Sequence, residues 1–381
     1  MDFYIAIVSL AVQNSGVYIW ATPNYGLGLL AMASAVAYTA GCLMSGTISD
    51  RLGRRRCVLM GCLGTGVAWA AVASMPRWEY VLLVMPIAGA SLSLFWPSIQ
   101  AWIAELTIGG RRELNRNLGL FNILWSVGLM VGPVTCGYLW LVDRRLTLYL
   151  PAALSVVLGA CLLAVPRGTA QVEAEEEDRA PHEDGDLFLK LAWFGNFASW
   201  FGMGTVLAMF PKLGAELAFT PPAVGWVLFA ARGGQVLLFI YTRYEDRWQY
   251  KLWPLLVAQA GAIVGMAMAV WAQSGIAFGA GFALGGACGG ITYVASLFYA
   301  LHGRSEGKGK TSGLHEAVLG SGGFLGPLTG GFVAQHLGLR APFTLAALVL
   351  AAACVAQLIL WHARARGVCT EAAGTPGADS Q

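Results

Sequence analysis

Twelve apolar runs, each close to twenty residues long, follow one another along the 381-residue chain with little sequence between them. A helix of that length crosses the hydrocarbon core of a bilayer, which is about 30 Å thick. Backbone polar groups in lipid must be bonded within their own segment, so helices are the expected form. The runs predict membrane helices over 3–21, 25–47, 57–75, 79–105, 117–141, 147–166, 188–210, 222–242, 251–272, 275–301, 312–336 and 341–362. Only 12% of the residues are charged and 57% are hydrophobic, whereas about 25% are charged in an average soluble domain. The first run has neither a basic leading region nor a small-residue cleavage site, so it reads as a span and not as a cleaved leader.

The charges sort by side. With both termini on one side, eighteen of the 24 lysines and arginines fall in loops on that side and five on the other, while Arg232 lies inside a span. Basic loops stay in the cytoplasm, so both termini are expected there, with the protein in the plasma (inner) membrane. A formal net charge of +3 gives no reason to expect nucleic acid as a partner. The eight cysteines stand singly and make no Cys-x-x-Cys pair, so they read as small buried hydrophobes. His182, His302, His315, His336 and His362 lie in different segments. No metal site or cofactor is expected, and the cluster of nucleophile, base or paired acids that a membrane enzyme needs is missing. A sensor built on such helices would need an added soluble domain, and the tail over 363–381 is short and polar.

The densest basic cluster lies between the second and third spans. It reads Gly46-x-x-x-Asp50-Arg51-x-Gly53-Arg54-Arg55-Arg56. Gly46 lets a neighbouring helix approach closely, and Gly53 permits a sharp turn. Asp50 can accept bonds from the free amides at another helix's N-terminus. This loop resembles the signature of the major facilitator superfamily of membrane transporters. The resemblance implies an all-α integral membrane protein in which twelve transmembrane helices form two six-helix bundles about a pseudo-two-fold axis. The bundles would be 1–166 and 188–362, joined by a cytoplasmic linker over 167–187 and followed by a cytoplasmic tail over 363–381. Eight acidic residues between Glu173 and Asp186 crowd that linker, which is too polar to bury a core.

The two halves repeat one another. Gly119-Leu120-Phe121-Asn122 has Gly313-Leu314-His315-Glu316 at an offset of 194. At the same offset, Gly128-x-x-x-Gly132-Pro133-x-x-x-Gly137 recurs as Gly322-x-x-x-Gly326-Pro327-x-x-Gly330-Gly331. Tandem repeats of one orientation are what this superfamily has. Small residues four apart make a flat face for helix packing, and the proline permits a kink. The Gly-Pro motif of the fifth span also resembles the signature of antiporters that exchange drugs for protons, although Cys136 replaces one glycine. Interface packing and an antiporter mark both remain open as its meaning.

By the same resemblance, the first, fourth, seventh and tenth spans line a central cavity. Their polar and aromatic residues are then the substrate candidates: Gln13, Asn14 and Tyr18; Trp96 and Gln100 about Pro97, which is expected to break its helix; Asn196 and Trp200; Tyr293 and Ser296. Asn122 joins them from the repeat in the fifth span. Polar groups in apolar helices face the protein interior or a cavity. Arg232 sits mid-span, where a charge costs about 2.5–3.5 kcal/mol on insertion scales. Either an anionic substrate or gating partner offsets it, or a bond to carbonyls or Gln235 does. His315 and Glu316 begin the eleventh span, where Glu316 is either a proton carrier or an acid favoured by the helix dipole. The resemblance further implies a latch in which Arg54 pairs with Glu105 and Asp50 faces the start of the eleventh span. The first span lacks a buried acid and the fourth a mid-membrane arginine, two features of coupled drug exporters in this superfamily.

The expected function is secondary active transport of small organic solutes by alternating access, with proton-coupled export leading. The alternative is import or uniport of a metabolite, anionic if Arg232 binds it. Partners would be membrane lipid, a small-molecule substrate and protons, and the chain is expected to be a monomer.

Overall fold

The structure, a computed structural model, describes residues 22–106, 110–164, 184–301 and 308–373. Eleven helices lie within them: α1 (Asn24–Leu52), α2 (Arg54–Ser74), α3 (Trp78–Leu106), α4 (Gly110–Val142), α5 (Leu146–Ala164), α6 (Gly185–Glu216), α7 (Pro221–Tyr244), α8 (Trp253–Trp271), α9 (Gly275–Leu301), α10 (Lys308–Leu337) and α11 (Ala341–Ala373). They correspond to the second through twelfth expected spans. Gln13, Asn14 and Tyr18 of the first span lie outside the described residues, as do the side chain of Glu105 and the surroundings of Gly46.

Ten of the eleven helices are long and apolar enough to cross a membrane. The other, α6, is diluted by its glycines, Trp193, Asn196, Ser199 and Trp200. It is also largely enclosed by protein, with Asn196, Ser199 and Thr205 all buried. A helix wrapped by neighbours need not match lipid on every face. Residues such as Leu83, Trp271, Ile276 and Leu348 instead stand exposed on the outer surface, where lipid covers them.

Helices run past the apolar stretches wherever nothing stops them. α1 continues through Asp50 and Arg51 until Gly53, whose φ of +87° ends it and begins α2 in a single residue. α4 starts seven residues before the apolar run, and α11 extends to Ala373, so part of the expected tail is helical. Pro97 does not break its helix: α3 is continuous through Pro86 and Pro97. In a bundle, neighbouring groups take over the bond that a proline removes.

Two arginines close helix ends. Arg55 donates from Nε to Leu162 O at 3.1 Å and also bonds Leu163 O, at the end of α5. Arg340 donates to Ala269 O, Val270 O and Ala272 O at 3.2, 2.7 and 2.8 Å, at the end of α8. Unsatisfied carbonyls and the negative pole of the helix dipole both favour a cation there. A third arginine, Arg364 near the end of α11, holds Asp184 before α6 at 2.9 Å.

α1–α5 and α6–α11 form the two halves. Between them α1 packs along α10, and α4 along α7. These two seams are built alike. A Cβ on Gly28 would lie 2.5 Å from Pro327 O, and one on Gly331 2.7 Å from Asn24 O. In the other seam a Cβ on Gly137 would lie 2.5 Å from Pro221 O, and Gly225 meets Pro133 O as closely. Gly137 and Pro133 are the repeat equivalents of Gly331 and Pro327, and Gly28 stands to Gly225 as Asn24 does to Pro221. The Gly-Pro motifs thus bring backbones into contact across the halves, at the end of the bundle away from the arginine loop. Gly322 and Gly326 serve differently: they lie against Phe197 O and Phe201 O of α6. Gly330 rests near Thr205, while Gly132 is buried in α4 beside Pro133. Gly128 lies one turn earlier on the same helix.

That end carries further contacts between the halves. Asn24 donates from N to Gln335 Oε1 and from Nδ2 to Ala334 O, both at 3.1 Å. Lys212 Nζ donates to Thr22 O at 2.7 Å. Tyr25 stacks on Phe332 with ring centroids 6.3 Å apart.

Candidate functional site

A cavity of about 340 Å³ lies between the halves. Ala31, Ala35, Gly204, Ala208 and Gly323 leave it room, because each presents little or no side chain on its helix. Of the expected site residues, Trp96, Gln100, Trp200, Arg232, Tyr293 and Glu316 line it. Tyr38 and Trp125 line it too and were not anticipated. Besides α3, α6 and α9, the helices α1, α4, α7 and α10 also form the walls. A lone phenol in the middle of an apolar run, as at Tyr38, is the signal that would have found it.

Aromatic rings bridge the halves along one wall. Trp96 meets Trp125 at 6.1 Å between centroids, and Trp125 meets Tyr293 and Phe239 at 6.1 Å each. Trp125 is fixed by its Nε1, which donates to Asn122 Oδ1 at 3.0 Å. Asn122 therefore acts on the wall through Trp125 and does not itself line the cavity. Tyr293 in turn packs on the His315 ring at 5.1 Å.

Two further expectations are corrected. His315 is fully buried behind Tyr293, and its Nδ1 shares a 2.7 Å hydrogen bond with Ser296 Oγ. Neither His315 nor Ser296 lines the cavity, because helix packing turns them to the α9–α10 contact. Asn196 is also fully buried off the cavity, on the α6 face where Ser199 bonds Thr292 at 2.8 Å. In the arginine loop, Asp50 has a near partner, while the side chains at the start of α10, which it was expected to face, lie outside the described residues. Its Oδ1 sits 2.6 Å from Arg54 Nη2, and Arg54 Nη1 donates to Ser49 Oγ at 2.7 Å. The turn at Gly53 folds Arg54 back over the last turn of α1, four positions from Asp50. The Arg54–Glu105 pairing falls outside the described residues.

The two charged cavity residues differ in their support. Glu316 accepts a hydrogen bond from Tyr38 Oη at 3.3 Å. Tyr38 belongs to the N-terminal half and Glu316 to the C-terminal half, so this bond crosses the cavity boundary. Arg232 is only 3% exposed. Its Nη1 donates to Gln235 Oε1 at 2.9 Å, and its guanidinium lies 5.7 Å from the centre of the Trp200 ring. Its Nε has no hydrogen-bond partner, and no carboxylate among the described residues lies within ion-pair distance. Arg232 thus has the structural bond to Gln235 and also a face on the cavity. Among the described residues no group of His, Cys, Asp and Glu is arranged to hold a metal ion.

The chain matches the model of the Major Facilitator Superfamily over residues 2–189 and 192–374. It is 25% identical over 272 residues to the multidrug resistance protein MdtH of Aeromonas hydrophila, covering 68% of this chain and 64% of the relative. It is 28% identical over 156 residues to a Na(+), Li(+), K(+)/H(+) antiporter of Planococcus maritimus, covering 39% and 36%. The matched stretches thus span from about a third to just under two thirds of the curated relatives' length. The crystal structure of the nucleoside transporter NupG superposes with a TM-score of 0.73 at 13% identity, over 94% of this chain and 96% of that one. That likeness concerns the fold: two bundles about a shared cavity. With the family model matching nearly the whole length, the chain is an integral membrane protein that belongs to the Major Facilitator Superfamily of transporters.

Proposed function

We propose that this protein exports small aromatic compounds in exchange for protons, by alternating access of the cavity to the two sides of the plasma membrane. The arginine loop and both termini then face the cytoplasm, and the chain works as a monomer. The observation that carries the reading is Glu316. Among the described residues it is the only carboxyl in the cavity lining, and its bond to Tyr38 ties its charge state to a contact between the halves. Titratable residues inside membranes serve as proton relays. Relatives named for multidrug resistance and for cation/proton antiport agree with this reading.

The glycine seams close the outer end in this arrangement, and the Trp125 contacts with Phe239 and Tyr293 cross the halves deeper in. Outward opening parts the seams; inward opening parts the aromatic contacts. The Asp50–Arg54 pair belongs to the loop whose latch would hold the outward-facing state.

Everted membrane vesicles with a pH-sensitive dye test the reading on lipophilic cations, neutral aromatics and organic acids. Wild type is expected to dissipate the proton gradient with at least one of them. If no compound moves protons, the export reading fails. The second reading, uptake or uniport of an anion, is favoured by one observation, the unpaired Nε of Arg232 at the cavity. It predicts uptake of organic acids that Arg232→Gln abolishes.

A further inference from the structure

The two charges of the cavity are not matched to each other. Arg232 and Glu316 both line it, yet no ion pair joins them. α7 runs along α4, and α10 along α1, while α6 and α9 pack between α7 and α10. The two groups therefore reach the cavity from separate walls. Trp96, Trp125, Trp200 and Tyr293 line the same cavity.

Each group lacks something that a ligand can supply. Arg232 has one bonded nitrogen, a free Nε and no counter-charge among the described residues. A guanidinium fork accepts a carboxylate through two parallel N–H bonds. An uncompensated charge in so dry a place is costly, so an anionic group on the ligand would be held firmly. Glu316 has one donor, the Tyr38 phenol. When it gives up its proton, a cationic donor in the cavity compensates it.

Exchange restricts the choice. A ligand that swaps with a proton at Glu316 has to exclude that proton. A purely anionic ligand on Arg232 would draw a proton onto Glu316. A purely cationic ligand would displace the proton but leave Arg232 unpaired and repelling it. A ligand with both charges, set apart, meets both walls.

We propose that the substrate is a zwitterion with an aromatic body, its anionic group on the Arg232 guanidinium, its ammonium group on Glu316, and its rings among the cavity tryptophans. This rests on the proton-exchange reading only for what leaves Glu316. The proton lost from Glu316 passes to water on the side where the ligand enters, and nothing else is made or broken. Because the zwitterion carries no net charge, each exchange moves one positive charge inward with the proton.

The test is a charge-permuted ligand set with the purified protein and titration calorimetry. para-(Aminomethyl)benzoic acid and its biphenyl homologue are each compared with their methyl ester, which keeps only the cation, and their N-acetyl derivative, which keeps only the anion. At least one parent acid is expected to bind about tenfold or more tightly than both its derivatives, the ratio for about 1.4 kcal/mol. Arg232→Gln should abolish the advantage of that parent over its ester, while the ester, freed of the Arg232 repulsion, binds at least as well as to wild type, and Arg232→Lys should restore part of the difference. If in wild type no parent outbinds its ester and its N-acetyl form, the proposal is overturned without recourse to any variant. Vesicle flux separates this from the wider reading. A parent that binds best but moves no protons refutes proton exchange and leaves the zwitterion site standing. An ester that exchanges with protons as well as its parent refutes the zwitterion site and leaves proton exchange standing.

Discussion

Leucine at both Gly28 and Gly225 is expected to cut transport severely while the protein still folds and reaches the membrane. Gly28 faces Pro327 O and Gly225 faces Pro133 O, so each added side chain would enter a space that backbone already fills. Overpacking costs about 1–3 kcal/mol per site, so the pair can reach about 6 kcal/mol. Reversing a 99:1 equilibrium takes about 5.5 kcal/mol. The penalty falls on the state in which the seams are closed, because parted seams leave room for both side chains. The double variant is thus held outward-open. Flux should fall by up to about a hundredfold, in line with that shift. An impermeant maleimide added from outside should label Leu207→Cys, a cavity residue, on a background without reactive thiols. Gly119→Ala, where nothing lies within 4 Å of the added carbon, should leave flux and labelling unchanged. Normal flux in the double variant would mean that the seams do not move.

Glu316→Gln is expected to separate substrate movement from its driving force. The amide keeps the size of the side chain and still accepts from Tyr38 Oη, so the cavity remains, but it carries no titratable proton. One proton moving through about 150 mV supplies about 3.5 kcal/mol. That sustains a gradient of a few hundredfold at about 1.4 kcal/mol per decade. Wild-type vesicles should concentrate substrate toward that ceiling, whereas the variant should only equilibrate it. Counterflow of labelled against unlabelled substrate should persist in the variant. Tyr38→Phe, which keeps the carboxyl and loses its donor, should accumulate substrate less steeply than wild type and more than the variant. If Glu316→Gln still accumulates substrate, the coupling residue lies elsewhere.

Much of the fold was legible because lipid imposes one rule on every span. The helix ends were less so, since they depend on single stops. Gly53 was readable from its motif, whereas the early start of α4 at Gly110 and the run of α11 to Ala373 lie in polar sequence that only continued backbone bonding makes helical. The Gly-Pro repeat exposed its own symmetry. Its partners Gly28 and Gly225 did not stand out, because a lone glycine in an apolar run acquires meaning only from the carbonyl that packs against it. Site residues divided in the same way. Arg232 and Glu316 are conspicuous by cost alone. Asn196 and Ser296 looked equally suitable, but a polar residue can satisfy the same energetics inside a helix contact, and rotation about the helix axis decides between the two. The Asp50–Arg54 pair was present in the sequence as a spacing of four.

Proton release on ligand binding is the most direct test of exchange at Glu316. Purified protein in weakly buffered detergent is mixed with a compound that moves protons in vesicles, and the pH change is read with an indicator. About one proton per bound ligand should leave wild type, and none should leave Glu316→Gln although it still binds. Binding by wild type without proton release, or equal release from the variant, would contradict a mechanism in which ligand and proton compete for that carboxyl.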